Sequence, residues 1–211
     1  MHAPGDALLL LVLLVGLYMQ GTIRLATCIR ASALQAVLIA PLPWLLHPES
    51  RDIHAAVLAM VPLVLKAVVV PHFLFWAIRE ARIRHEVEFF LGSRAALLVA
   101  GLGVLCAFLI SGRLVPTVPV GSRFLIPVAL STVLFGLLML VTHAQAIVQV
   151  VGYLVLENGI LLFGLSLTGR MPWIVEAGIF LDVFVGVFIM SIFVHHIQRT
   201  FAVPETPREL P

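Results

Sequence analysis

Charge is scarce in this chain. Asp, Glu, Lys and Arg make up 11% of its 211 residues, against 61% hydrophobic ones. A soluble domain carries about a quarter of its residues as charges, so a free-standing catalytic or nucleotide-binding domain is excluded. The mean hydropathy of +1.11 marks an integral membrane protein. Cysteine is nearly absent: Cys28, read in a short basic loop, and Cys106, in an apolar run, are the only two. Neither belongs to a CxxC or Cys/His cluster, which leaves an iron–sulfur or zinc site without ligands. No glycine-rich phosphate loop, HExxH or Cys/His nucleophile pair occurs, so nothing points to covalent or metal-assisted catalysis. His72 has no counterpart at its depth on another segment, so paired haem ligands are not indicated. The net charge of +2 comes from basic residues in loops, where membrane topology accounts for them, and it gives no sign of a nucleic-acid partner.

What the chain has in abundance is long apolar runs. Seven segments stand out, at roughly 7–23, 31–47, 53–78, 95–112, 124–142, 147–168 and 172–198, with a short tail at 203–211. Backbone polar groups in lipid must be paired within their own segment, so runs of this length without strand-like alternation are helices. The N-terminal MHAPGD has no Lys or Arg, and 7–23 reads as a membrane helix rather than a signal peptide. The expected fold is an all-α, polytopic bundle of about seven transmembrane helices in one domain, residues 1–202. Orientation follows from the basic residues. Arg24, Arg30, Arg79, Arg82, Arg84, Arg94, Arg199 and Arg208 fall on one side, against Arg51, Arg113, Arg123 and Arg170 on the other. The richer side faces the cytoplasm, which places the N-terminus outside and the C-terminus inside, in a cell inner membrane.

Against this apolar background three charges stand alone near the middle of runs: Lys66, Glu157 and Asp182. Each costs roughly 2.5–3.5 kcal/mol at the bilayer centre, so each needs a partner, internal water or a task. Ion or proton handling is the first expectation. Desolvation favours a protonated carboxyl and a nearby cation favours the ionised one. The opposition suits a group that takes up and releases a proton. Asn158, beside Glu157, can extend a hydrogen-bonded chain, and Gly152 and Gly159 allow a neighbouring helix to come close. Pro62 and Pro71 flank Lys66, which predicts a kink or local unwinding there. Lys66 has two possible carboxylate partners, Glu157 and Asp182. Gln35, His72 and Glu176 complete the set of candidate pathway residues.

The polar residues recur in two places. Gln35 and Lys66 lie 31 residues apart on the second and third segments, and Glu157 and Asp182 lie 25 apart on the sixth and seventh. Because the fourth segment reverses the chain between them, two three-helix units would share one orientation.

The run GYLVLENGILLFGLSL, followed by MPWIVEAGIFLDVFVGVFIMSIFVHHIQRTF, resembles the membrane subunit called hydrogenase-4 component E. The first half fits through Tyr18, Arg24, Leu25, Gln35 and the Lys66-to-Pro71 spacing in LKAVVVP, so the resemblance spans roughly residues 10–202. That family looks like an enlarged relative of the K subunit of respiratory complex I and of the C subunit of multisubunit cation/proton antiporters. The resemblance implies two K-subunit-like three-helix units. It matches Asp182, four residues before Gly186, to the carboxylate on the third helix of such a unit. Glu157 lies one turn beyond the second-helix position, which Leu154 occupies. The stretch THAQAIVQ stands where the family is expected to carry a basic loop.

The function so implied is that of a non-catalytic subunit of a complex I-like, membrane-bound [NiFe] hydrogenase of the hydrogenase-4 or formate-hydrogenlyase type. Glu157, Asp182 and Lys66 would contribute to proton or Na⁺ translocation coupled to redox chemistry. Antiporter-like subunits and a membrane anchor would be direct partners. The soluble hydrogenase subunits, with the nickel–iron centre and iron–sulfur clusters, would be indirect ones. The alternative is a scaffold subunit of a related antiporter-like or respiratory complex, whose charges only tie helices together.

Overall fold

The computed structural model describes residues 3–46, 65–80, 92–114, 122–143 and 145–167. All its elements are helices: α1 (Ala3–Gly21), α2 (Leu25–Ile39), the short α3 (Leu42–Leu46), a π-turn (Leu65–Val69) that runs into α4 (Val70–Glu80), α5 (Ser93–Leu114), α6 (Leu125–Thr142) and α7 (Ala146–Leu167). Five spans are long and apolar enough to cross a membrane, counting Leu25–Leu46 as one. The segment 172–198, with Asp182, Glu176 and the last helix of the expected seven, lies outside the described residues.

The helices alternate in direction. Ser93 Oγ donates to Gly21 O at 2.8 Å, which sets the start of α5 beside the end of α1. Ser122 Oγ donates to the Asp6 carboxylate and ties the approach to α6 to the start of α1. Gln20, near the end of α1, donates to Phe135 O well along α6. These ties make α1 and α6 parallel and α5 antiparallel to both. α2 and α7 also run the same way, because the first halves of both join one apolar cluster and their later portions join another.

The second helix begins six residues earlier than the expected 31. Arg24 to Arg30 is not a loop, and Cys28 is buried in α2. The basic residues misled for a physical reason: long Arg side chains carry their charge out along the helix while the backbone stays apolar. Arg30 does so, its guanidinium 5.7 Å over the Phe75 ring. At the other end Pro41 breaks α2 from α3. The π-turn at Leu65–Val69 ends just short of Pro71. Pro71 has no N–H to give the Ala67 carbonyl and its ring crowds it, so the chain unwinds by one residue per turn instead. Lys66 is carried on this widened turn.

The tightest seam is α6 against α7. A Cβ on Gly159 would lie 2.5 Å from the Val133 backbone nitrogen, and one on Gly136 would strike the Leu156 backbone. Only hydrogen at these positions lets the two backbones meet. At the periphery, α5 buries a narrow stripe of Ala96, Ala100, Ala107 and Ser111. Leu98, Leu102 and Leu109 point outward, 75%, 61% and 66% exposed, where lipid would receive them.

Candidate functional site

Two apolar clusters fill the core, and a polar layer separates them. On α2 the sequence passes from Ala31 in one cluster, through Gln35, to Ile39 in the other; on α7 it passes from Val155, through Glu157 and Asn158, to Leu162. Gln35 is 11 residues into the 22-residue span Leu25–Leu46, and Asn158 is 13 into α7. The layer therefore lies near the midplane.

Within it the side chains form a continuous line. Lys66 Nζ lies 3.0 Å from Glu157 Oε1 and donates to Asn158 Oδ1 at 3.4 Å. Asn158 Nδ2 donates to Gln35 Oε1 at 3.3 Å. Gln35 Nε2 donates to Val12 O at 3.4 Å. The line joins the π-turn, α7, α2 and α1, and its four side chains are all at least nine-tenths buried. The two amides are oriented by their neighbours: each accepts on oxygen from one side and donates from nitrogen to the next. Reversing either amide would set donor against donor.

The fold explains each position. Gly159 and Gly136 bring α6 onto α7 and turn the Glu157–Asn158 pair toward α2. Gly16 leaves room for the Phe135 ring, since a Cβ there would lie 2.5 Å from Phe135 Cδ2, with Gln35 Nε2 in ordinary contact at 3.4 Å. The π-turn aims Lys66 at α7 although α4 continues past it. Glu157 and Asn158 lie one residue apart, yet both reach the Lys66 ammonium. A compact cation with three rotatable donors can serve two acceptors at once.

Of the seven sequence candidates, Lys66, Glu157, Asn158 and Gln35 come together. Of the two carboxylates open to Lys66, Glu157 is bonded to it. His72 stands apart: it is exposed on α4, its ring edge-on to Phe73 at 6.5 Å between centroids. Asp182 and Glu176 are among the undescribed residues. Among the described residues no three His, Cys, Asp or Glu side chains gather as metal ligands do.

Two buried polar residues escaped sequence reasoning. Gln20, one residue from the end of α1, is fully buried; its Nε2 donates to Phe135 O at 3.1 Å, and its Oε1 has no partner among the described residues. His143, between α6 and α7, is 2% exposed. Its Nδ1 lies 3.0 Å from Met139 O and 2.9 Å from Thr142 Oγ1, and its own carbonyl accepts from Gln149 Nε2. The Met139 carbonyl can only accept, so Nδ1 carries the proton. Burial pushes the imidazole below its ordinary value, and the bond to Met139 offsets part of that. Both residues flank helix ends, where polar side chains read as interfacial. The spacing of Phe135, Met139 and His143 at successive helical turns was the available signal.

Comparison with known proteins adds two kinds of relative. The chain is 30% identical over 178 residues to the uncharacterized protein Rv0085 of Mycobacterium tuberculosis, which covers 84% of this chain and 81% of that one. It is 33% identical over 136 residues to hydrogenase-4 component E of Escherichia coli K12, 64% of this chain and 62% of that protein's length. The Shigella flexneri component E gives the same figures. No family model matches the chain, and no solved structure does.

Proposed function

Because this chain belongs to the family of the mycobacterial protein Rv0085 and is similar over 136 residues to hydrogenase-4 component E, we propose that it is a non-catalytic membrane subunit of a [NiFe] hydrogenase complex of the hydrogenase-4 type. In that reading the nickel–iron centre and iron–sulfur clusters belong to partner subunits. The chain sits in the cell inner membrane between antiporter-like subunits and the membrane anchor, N-terminus outside and C-terminus in the cytoplasm. Its task is to conduct charge sideways through the membrane centre, a proton or Na⁺ being moved as the redox reaction turns over.

The observation that carries this reading is the in-plane line Lys66–Glu157–Asn158–Gln35. A titratable pair feeds two oriented amides that reach the α1 backbone. An ordinary helix tie would use Ser, Gln or Asn at a lower insertion cost. The line is lateral rather than transverse, which suits passage from one subunit to the next. Asp182 and Glu176 would extend it beyond the described residues. That α2 and α7 run parallel and place Gln35 against Asn158 also supports the paired K-subunit-like units.

The scaffold alternative draws on the same bonds, since each joins one helix to another. The two readings separate on Glu157→Gln in the intact complex, purified through a tag on this chain and reconstituted into vesicles. Conduction requires redox-driven ion uptake to fall at least about tenfold while uncoupled hydrogen turnover persists. Retained uptake per turnover, with poorer assembly, would leave only the scaffold.

A further inference from the structure

A lateral line at the midplane needs a connection to water, and the seam between α1 and α6 has the features of one. The Phe135 and Met139 carbonyls are one turn apart on the same face of α6. One receives Gln20 from α1 and the other receives His143 from the α6–α7 turn. These two side-chain bonds form a polar stripe along the α6 wall. The stripe continues inward as Thr132 and Ser131, both fully buried. Gln20 is the unusual member: a fully buried amide whose oxygen meets no donor among the described residues. Leaving such an oxygen dry is unfavourable, and a single water offsets that cost if it finds two to four polar partners.

Between Gln20 and the midplane line stands one ring. The position a Cβ on Gly16 would take is 2.5 Å from Phe135 Cδ2 and 3.4 Å from Gln35 Nε2. The Phe135 ring and the Gln35 amide thus share the room that Gly16 leaves. Phe135 is 1% exposed, and its own carbonyl holds Gln20. One residue therefore fixes the amide on one side and screens the amide on the other.

We propose that the α1–α6 seam is a water-access route from the α6–α7 turn to the polar layer, with His143 buried just inside its entrance, Gln20 holding a water midway, and the Phe135 ring as the gate before Gln35. The route rests on the reading of the layer as a conducting line, which it supplies with protons. His143, itself buried, takes up a proton from water that enters at the turn and passes it to water in the seam, returning to its neutral form. When the ring rotates off Gly16 the seam water reaches Gln35, whose amide only hydrogen-bonds to it, and the proton stays on water as far as the polar layer. No bond other than those to the proton is made or broken.

Thiol reactivity tests the route without any assay of pumping. Gln20→Cys and Gln35→Cys are made singly in the full chain, with Cys28 and Cys106 changed to Ala, and labelled in sealed vesicles by a small, charged, membrane-impermeant methanethiosulfonate. Leu98→Cys, on the lipid face, is the unreactive control. Thiolates form in water and not in lipid. Gln20→Cys should therefore label at least about tenfold faster than the control, from the side that bears the α6–α7 turn only. Gln35→Cys should stay at the control rate until Phe135→Ala, or the milder Phe135→Leu, raises it about tenfold. A Gln20→Cys that is inert from both sides would overturn the route, and a Gln35→Cys indifferent to Phe135 would overturn the gate. If the conducting reading alone fails, Glu157→Gln will leave ion uptake intact while the labelling pattern stands.

Discussion

Removing the Glu157 charge should destabilise the protein far more than removing both charges of its pair. At 3.0 Å and an effective dielectric of about 20, the attraction between Lys66 and Glu157 is about 5–6 kcal/mol. Desolvating the two ions costs several kcal/mol each, so the pair is near break-even as a whole. The parts are another matter. Glu157→Gln leaves the ammonium buried without its counter-charge, with Asn158 Oδ1 still accepting from it at 3.4 Å. A charge left at that depth costs about 3 kcal/mol on insertion scales, and broken buried pairs cost about 3–5. Lys66→Met with Glu157→Met removes both ions and should fall within about 1 kcal/mol of the native protein. A double-mutant cycle on Lys66→Met and Glu157→Met in reversible detergent unfolding, with each single change costing about 3–5 kcal/mol, should return a coupling of at least about 5 kcal/mol, where independent sites give less than about 0.5. Additive single changes would show that Lys66 and Glu157 do not depend on each other, and the polar layer would lose its anchor.

Three further outcomes follow from named contacts. Gly159→Ala puts a methyl into the Val133 backbone. It should cost about 1–3 kcal/mol of stability and loosen the Asn158–Gln35 bond, seen as faster amide exchange in α7. The buried His143 holds its folded pKa below the ordinary value of 6.5. The unfolded chain then takes up a proton first, so stability is complete above about pH 7 and falls as pH drops through 6.5, by at most about 1.4 kcal/mol per unit. His143→Gln should flatten that slope in unfolding curves between pH 7.5 and 5.5. Asn158→Leu leaves Gln35 Oε1 without its donor and removes an acceptor from Lys66. It should cost about 1–3 kcal/mol and cut ion uptake more than Gln35→Leu, which leaves the Lys66 contacts in place.

Much of the bundle was legible in the residues because long apolar runs have few alternatives in lipid. The expected 124–142 and 147–168 agree with Leu125–Thr142 and Ala146–Leu167 to within a residue. Arg123 and the THAQ stretch mark those ends unambiguously. The start of α2 was misplaced because a basic residue in a membrane sequence signals a loop, whereas Arg30 is long enough to leave the helix and rest over Phe75. The two prolines around Lys66 foretold unwinding but not its form. The π-turn is a packing outcome, and it decides which neighbour Lys66 meets. The polar layer was visible as isolated polar residues in apolar runs, since the cost of burial makes each conspicuous. That Gln35, Lys66, Glu157 and Asn158 form one line was not visible, because helix rotation sets it. Gln20 and His143 were hidden for the opposite reason: near a helix end a polar residue costs nothing if it faces water, and only the tertiary fold shows that these two do not.

The central claim is that the midplane line conducts. Its most direct test is ion uptake per hydrogen turned over, measured in vesicles containing the intact complex with native Glu157 or Glu157→Gln. The account predicts uptake reduced at least about tenfold in the variant, with uncoupled turnover retained. Equal uptake per turnover in the two would contradict it.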